Sequence, residues 1–342
     1  MSACRSALHE LMAGRELTTA SADLAMTEVL EGSCSPTLTA AWLTALARRP
    51  ETAEELTGFA RAVRRKATEL PAASHALCPC GTGGSGLQTA NTSTAVAFVL
   101  AAAGVPVAKH GNRASSGLCG SADVLERLSI AVDIPVERSG QLLAELGLCF
   151  LFAPRVHPAL RQLAPLRREL GFATVFNFLG PLCNPAGVQH QLLGVSDSRR
   201  ALPMVQALRN LGSSEVLAVT GLDGLDELSL TGPSQVIRLH NGALTTEQWT
   251  PEQAGLERRE PEALRGGDAS VNAVILLKVL NGEACAAADL TALNAGAALL
   301  LTGHSPDLAS GVAKARGVLA SGAARDLLER YRRACSIEKS IG

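Results

Sequence analysis

The sequence predicts an α/β protein that opens with an all-helical segment, and three observations carry the prediction. Residues 5 to 66 show apolar side chains at helical spacing. After Pro71 the texture changes to short apolar runs alternating with helical stretches, and 47% hydrophobic content over 342 residues is enough to bury a large core.

The opening helices are read from their caps and stops. Leu8, Leu11 and Met12, then Leu24, Met26, Val29 and Leu30, recur at helical spacing, with Gly14 and Gly32 as stops. Ser35-Pro36 starts a third helix, with proline where its missing N–H costs nothing, and Glu51 to Ala67 gives a fourth, charged on one side. Strand-like runs follow at Val105 to Lys109, Leu148 to Ala153, Leu192 to Val195 and Val216 to Thr220. His157 to Leu170 reads as helix again, which suggests a return to the N-terminal part. Ser270 to Arg333 is mostly helical, with Ala-rich faces suited to close packing.

Composition narrows the function. A net charge of −1 argues against a protein that neutralises a long nucleic-acid backbone, and local basic clusters such as Arg61 to Lys66 fit a solvated helix face. No apolar span reaches the roughly 18 residues of a membrane helix and no leader-like segment is apparent, so a cytoplasmic location is expected. The nine cysteines are scattered and odd in number, which reads as free thiols; Cys78-Pro79-Cys80 alone keeps a soft-metal or redox reading open.

The most informative stretch is Gly81 to Glu126. Four glycines in Gly81-Thr82-Gly83-Gly84-Ser85-Gly86 permit positive φ and let backbone N–H groups approach an anion. Asn91-Thr92-Ser93-Thr94 opens an apolar helix, where free N–H groups and the helix dipole favour negative charge. Lys109-His110-Gly111-Asn112-Arg113 adds two cations, an amide and an imidazole, with Ser115, Ser116 and Ser121 close behind. A lone glycine hexamer is often a plain turn, and no Lys-Ser/Thr follows it as in a Walker A loop. Three anion-competent elements within 46 residues point to a phosphate ligand.

Two further clusters extend the site. Asp226-Glu227 lies just beyond the strand-like Val216 to Thr220, where α/β sheets gather ligands, and an acidic pair there suits Mg²⁺; the plainer alternative is a solvated turn. Arg167 follows His157 by ten residues, nearly three helical turns, so both can face one groove, and an arginine fork there suits a carboxylate. The alternative is a surface helix with a satisfied histidine.

Taken together, these residues resemble the anthranilate phosphoribosyltransferases. The likeness runs through Leu8 to Gly14, Gly32-Ser33-Cys34-Ser35-Pro36, GTGG, NTST, KHGNR, GSADVLE, Phe176 to Pro185, Asp226-Glu227 and Asn294-Ala295-Gly296. The resemblance implies a small helical domain (1–70, rejoined near 155–190) and a larger α/β domain (71–154 and 191–342) around a mostly parallel central sheet flanked by helices, as in pyrimidine nucleoside phosphorylases. It also implies a homodimer formed through the helical domain. The implied reaction moves ribose 5-phosphate from 5-phosphoribosyl 1-pyrophosphate (PRPP) to the amine of anthranilate, with Mg²⁺ and with no covalent side-chain nucleophile.

By the same resemblance, Gly81, Thr82, Gly83, Gly84, Ser85, Thr89, Asn91, Ser93, Thr94, Lys109, Arg113, Ser115 and Ser116 are expected on PRPP. Ser93, Asp226 and Glu227 are expected on the metal, and His110, Asn112, His157 and Arg167 on the aromatic acid. The chain departs from the family pattern at Cys78, Ser85, Ala90, Gly117 and Ala173, where the family carries an acid, an acid, a bulky apolar residue, a serine and an arginine. Ser85 removes a charge that would serve a second Mg²⁺. Other outcomes of this pattern are a paralogue with a different aromatic acceptor, a non-catalytic relative that binds nucleic acid, and a nucleoside phosphorylase.

Overall fold

A computed structural model describes residues 2–87, 89–114 and 117–336. The N-terminal helices are α1 (Ala3–Met12), α2 (Thr19–Leu30), α3 (Pro36–Leu46) and α4 (Ala53–Arg65). Side chains of Ser2, Thr18, Ser35 and Thr52 accept the orphan N–H groups at the four starts, and Glu55 closes a capping box with Thr52. Met12 and Leu24, both placed on apolar stripes by their spacing, stand 69% and 60% exposed, so those stripes reach past the core of this chain.

The remainder is built on β1 (Leu77–Gly81), α5 (Thr92–Ala102), β2 (Val107–Gly111), α6 (Ser121–Arg127), α7 (Val136–Leu146), β3 (Leu148–Phe152) and three short helices, α8 (Ala153–Val156), α9 (Ala164–Leu170) and α10 (Phe176–Leu179). Then follow β4 (His190–Gly194), α11 (Ser198–Asn210), β5 (Glu215–Gly221), β6 (Ser234–His240), β7 (Ala243–Trp249), α12 (Ala269–Leu280), α13 (Ala286–Leu301), α14 (Leu308–Ala320) and α15 (Ala323–Ser336). No helix among the described residues is long and apolar enough to cross a membrane.

The seven strands form one sheet in the order β3-β2-β1-β4-β5-β6-β7, parallel from β3 to β5 and antiparallel at β6 and β7. Successive strands first step outward from β1 to β3, and the chain then crosses to the other side of β1 to lay down β4 and β5. The order therefore reverses between β1 and β4, and a crevice opens beyond their carboxyl ends.

Period-two alternation divides β4 and β5 between two cores, while Cys78, Cys80, Ala108, Cys149 and Leu151 of β1 to β3 face a third. Leu192, Leu217 and Val219 face a core shared with α5, α13 and α14. Leu193, Val216 and Ala218 face another that runs through α11 into α2, α3 and α4 and takes in Leu163, Val175, Phe176 and Leu179. The segment after β3 thus packs with the N-terminal helices.

Pro79 sits inside β1 without an N–H to give. Pairing with β2 is confined to Leu77 and Val107, whereas β4 pairs with all five residues of β1. The buried Lys109 ammonium occupies the interrupted side and donates to the Pro79 carbonyl at 2.8 Å. Among the described residues no disulfide joins the cysteines; Cys78 and Cys80 lie within β1, where a hydrogen bond between them draws the Cys78 thiol below its usual range.

Candidate active site

β1 and β4 end in glycine, and both glycines are required by what lies against them. A Cβ on Gly194 would collide with the carbonyl oxygen of Asp226, and one on Gly81 would stand 2.6 Å from its Oδ2. The loop after β5 can therefore press Asp226 onto the ends of both strands. Asp223 holds that loop, accepting from Ser229, Thr231 and the Leu225 N–H, and Asn294 of α13 pins Leu228 by both its N–H and its carbonyl.

The glycine loop folds over this carboxylate. Gly83 and Gly84 have φ of 65° and 78°, and the Gly83 N–H donates to Asp226 Oδ2 at 2.8 Å. Ser196, just past β4, closes the loop by donating to the Gly83 carbonyl at 2.8 Å and meeting Thr82. The expected phosphate cradle therefore engages an acid of its own chain, with the Thr82 N–H turned to the Gly194 carbonyl. The hexamer has the letter spacing G-x-G-x-x-G, yet α5 begins only at Thr92, so it is not the strand-turn-helix of a dinucleotide fingerprint. Ser85 bonds within its own turn, to Leu87.

Behind the loop, a cavity of about 40 Å³ is lined by Ser93, Asp226, Glu227, Gly81, Gly194 and Asn294, among others. Burial lifts both carboxyls above the usual range and, with the neighbouring Asp226 adding to it, pushes Glu227 to about 8. Glu227 Oε2 is buried without a hydrogen-bond partner. Two desolvated acids with an orphaned oxygen and a cavity between them fit a cation. Among the described residues no cluster of three or more His, Cys, Asp or Glu side chains is shaped for a metal, so the pair and Ser93 suit an ion that keeps water and substrate phosphate as its remaining ligands, as Mg²⁺ does.

Lys109 donates to Ser93 Oγ at 3.0 Å from a wholly buried position that lowers its pKa. Arg113, expected to offer free charge, is paired with Glu126 at 2.6 Å and stacked 4.6 Å over Phe152. Asn112 accepts the Arg113 N–H, and Thr94 Oγ1 is buried without a partner. Thr89 bridges to Arg265. Ser115 and Ser116 lie outside the described residues.

Of the residues expected on the acid, His110 of β2 lies against His157. His110 Nδ1 lies 3.0 Å from the Gly180 carbonyl, and its ring meets His157 edge-on at 5.0 Å. Burial lowers His110 to about 4; burial and then His110 lower His157 to about 3, with a weaker opposing contact from the Cys183 backbone. Both rings are neutral at pH 7, and His110 Nε2 and both His157 nitrogens lack well-formed hydrogen bonds.

The helical spacing expected to align His157 with Arg167 is broken. His157 stands between α8 and a 3-10 turn at Pro158–Leu163, and Arg167 belongs to α9. Pro158 and Pro165 interrupt what read as one helix. The segment from Thr174 to Gly180 joins the two parts instead: it offers Gly180 to His110, and Asn177 (3.5 Å) and Phe176 (5.5 Å) to the Arg167 guanidinium. These neighbours of Arg167 are uncharged.

Gly194, Ser196 and Asn272 are not among the expected site residues, and Asn294 stands out only as part of the family likeness. A glycine closes β1, β2, β4 and β5 alike, a signal that would have singled out Gly194.

Comparison with known proteins gives the family. Residues 74–325 match the model of the glycosyl transferase family a/b domain, and residues 5–67 that of its helical bundle domain. Anthranilate phosphoribosyltransferase of Rubrobacter xylanophilus is 47% identical over 328 residues, 96% of each chain. The crystal structure of the Thermus thermophilus enzyme of that name matches with a TM-score of 0.90 at 44% identity, over 98% of this chain and all of the other. The Saccharomyces cerevisiae enzyme in complex with PRPP and Mg matches at 0.88 and 28% identity, over 97% of this chain and 98% of the other. With both domains matched and nearly half of its residues shared with a relative of the same length, the chain belongs to the anthranilate phosphoribosyltransferase family.

Proposed function

We propose that this protein transfers the 5-phosphoribosyl group of PRPP to the amine of anthranilate and releases pyrophosphate, in the cytoplasm and in the service of tryptophan biosynthesis. The observation that carries the reading is the meeting of Asp226, Glu227 and the Gly83 N–H where the strand order reverses, with Arg167 and the neutral pair His110 and His157 expected on the acid.

The geometry supports one division of labour. Asp226, Glu227 and Ser93 would hold Mg²⁺, which when bound neutralises charge building on the departing pyrophosphate. The Gly81 to Gly84 loop exchanges its Asp226 contact for phosphate oxygens, and Asn91 and the start of α5 supply further donors. Lys109 keeps a fixed positive charge behind Ser93. Arg167 takes the anthranilate carboxylate, while neutral His110 and His157 wall the aromatic ring without repelling the cationic character that develops at ribose C1. The C1–pyrophosphate bond breaks, the amine nitrogen bonds C1, and the amine proton leaves to solvent. Rate enhancement rests on orientation and electrostatics. Met12 and Leu24, exposed on α1 and α2, support a homodimer through the helical domain.

Purified protein with PRPP, Mg²⁺ and anthranilate is expected to consume anthranilate fluorescence and release one pyrophosphate per acceptor. Turnover only with another aromatic acid would reject anthranilate as acceptor; no turnover, together with salt-sensitive nucleic-acid binding, would reject the enzyme. Ser85→Asp is expected to lower the Mg²⁺ concentration for half-maximal rate several-fold by restoring an acid to the loop. An unchanged Mg²⁺ titration would show that position 85 does not limit metal binding.

A further inference from the structure

Asn91 and Asn272 lie 181 residues apart and share a hydrogen bond whose direction is fixed by the backbone. The Gly267 N–H donates to Asn272 Oδ1 at 2.8 Å, and Asn272 Nδ2 donates to the Gly267 carbonyl at 3.0 Å. The backbone of residue 267 offers one donor and one acceptor in set places, so the amide of Asn272 has a single satisfied orientation. Its remaining N–H donates to Asn91 Oδ1 at 2.9 Å. Asn91 thereby spends its acceptor on α12 and turns its NH₂ toward the loop at Cys119, whose carbonyl it meets only at 3.4 Å.

Asn272 is 3% exposed, and the strip before it fits closely against the Asn91 loop. A Cβ on Gly266 would stand 2.5 Å from both Asn272 Oδ1 and the Thr89 carbonyl, and Thr89 pairs with Arg265. Asn91 has no side-chain bond to the start of α5, so its amide is oriented from α12 and not by the helix it caps.

We infer that Asn272 is a positioning residue for PRPP: it sets which end of the Asn91 amide faces the phosphates. The inference rests on the reading that Asn91 contacts PRPP. An anion takes hydrogen bonds only from donors, so an Asn91 turned over would present its oxygen and repel the ligand.

Two replacements at 272 separate orientation from packing. N272D keeps size and still accepts the Gly267 N–H, but its second oxygen has no proton for the Gly267 carbonyl and offers only an acceptor to Asn91, which turns its NH₂ inward. KM for PRPP should rise roughly tenfold or more in N272D and only a few-fold in N272A, with KM for anthranilate unchanged. In an N91A background, N272D should add little, because no amide remains to be turned. A carboxylate acting by simple repulsion of PRPP would add its full effect there.

Equal effects of N272A and N272D, parallel changes in both KM values, or additivity with N91A would each overturn the inference. N91A with an unchanged KM for PRPP would overturn the assignment of Asn91 beneath it. Should N272D fail to fold, N272A alone decides: a raised KM for PRPP that vanishes in the N91A background supports the inference, and an unchanged KM overturns it.

Discussion

Gly194→Ala should lower kcat/KM by roughly a hundredfold or more while leaving a folded protein. The added methyl has no free space, because it meets the backbone carbonyl of Asp226 and not the end of a flexible side chain. Relief requires the loop from Leu222 to Leu228 to back away from the sheet, and Asn294 and Asp223 hold that loop at its far end. The displacement therefore falls on Asp226, on its bond to Gly83 and on the cavity shared with Glu227 and Ser93. Steady-state kinetics with a circular-dichroism melt would check this. Gly317→Ala serves as control, since a Cβ there meets nothing within 4 Å and should leave the rate as it was. A wild-type rate for Gly194→Ala would mean that the observed position of Asp226 is not the one used in turnover.

Arg167→Ala should raise KM for anthranilate by roughly ten- to a hundredfold and leave KM for PRPP nearly unchanged. The guanidinium is half-buried, burial already presses its pKa down, and its neighbours Asn177 and Phe176 bring no negative charge. An incoming carboxylate is then its counter-ion. Arg167→Lys should recover only part of the loss, because an ammonium lacks the planar fork. Initial rates with each substrate varied would settle the point, and equal increases in both KM values would rule out a carboxylate-specific role.

The elements legible in the sequence are those whose cues are local. Ser35-Pro36 marks the start of α3, Gly14 and Gly32 lie two residues past the ends of α1 and α2, and the stretch from Glu51 to Ala67 brackets α4. β1 escaped notice because Leu77-Cys78-Pro79-Cys80-Gly81 has no alternation and carries proline in a central strand, a pattern that argues against sheet unless a side chain such as Lys109 fills the gap. β6 and β7 had a stronger cue that went unread: Asn241-Gly242, with φ of 51° and 79°, is the Asn-Gly turn of a two-residue hairpin.

The site followed the same rule. Its motifs lie at strand ends, where α/β logic puts them, but their partners come from far along the chain. Gly83 and Asp226 are 143 residues apart, Thr82 and Ser196 114. Composition offered two cations to the phosphate, yet Arg113 was claimed by Glu126 and Lys109 by Pro79 and Ser93, pairings that no spacing announces.

The reversal of strand order between β1 and β4 also bears on how the molecule comes together and how firmly it stays so. Gly81, Gly194 and Asp226 belong to separate crossings of the sheet, so the crevice does not exist until β1, β4 and β5 are all in register. An unfolded chain holds no part of it. Occupancy by substrate and metal therefore stabilises the whole sheet by mass action, adding about 2.7 kcal/mol at a hundred times the dissociation constant. The melting temperature is therefore expected to rise as the crevice is filled.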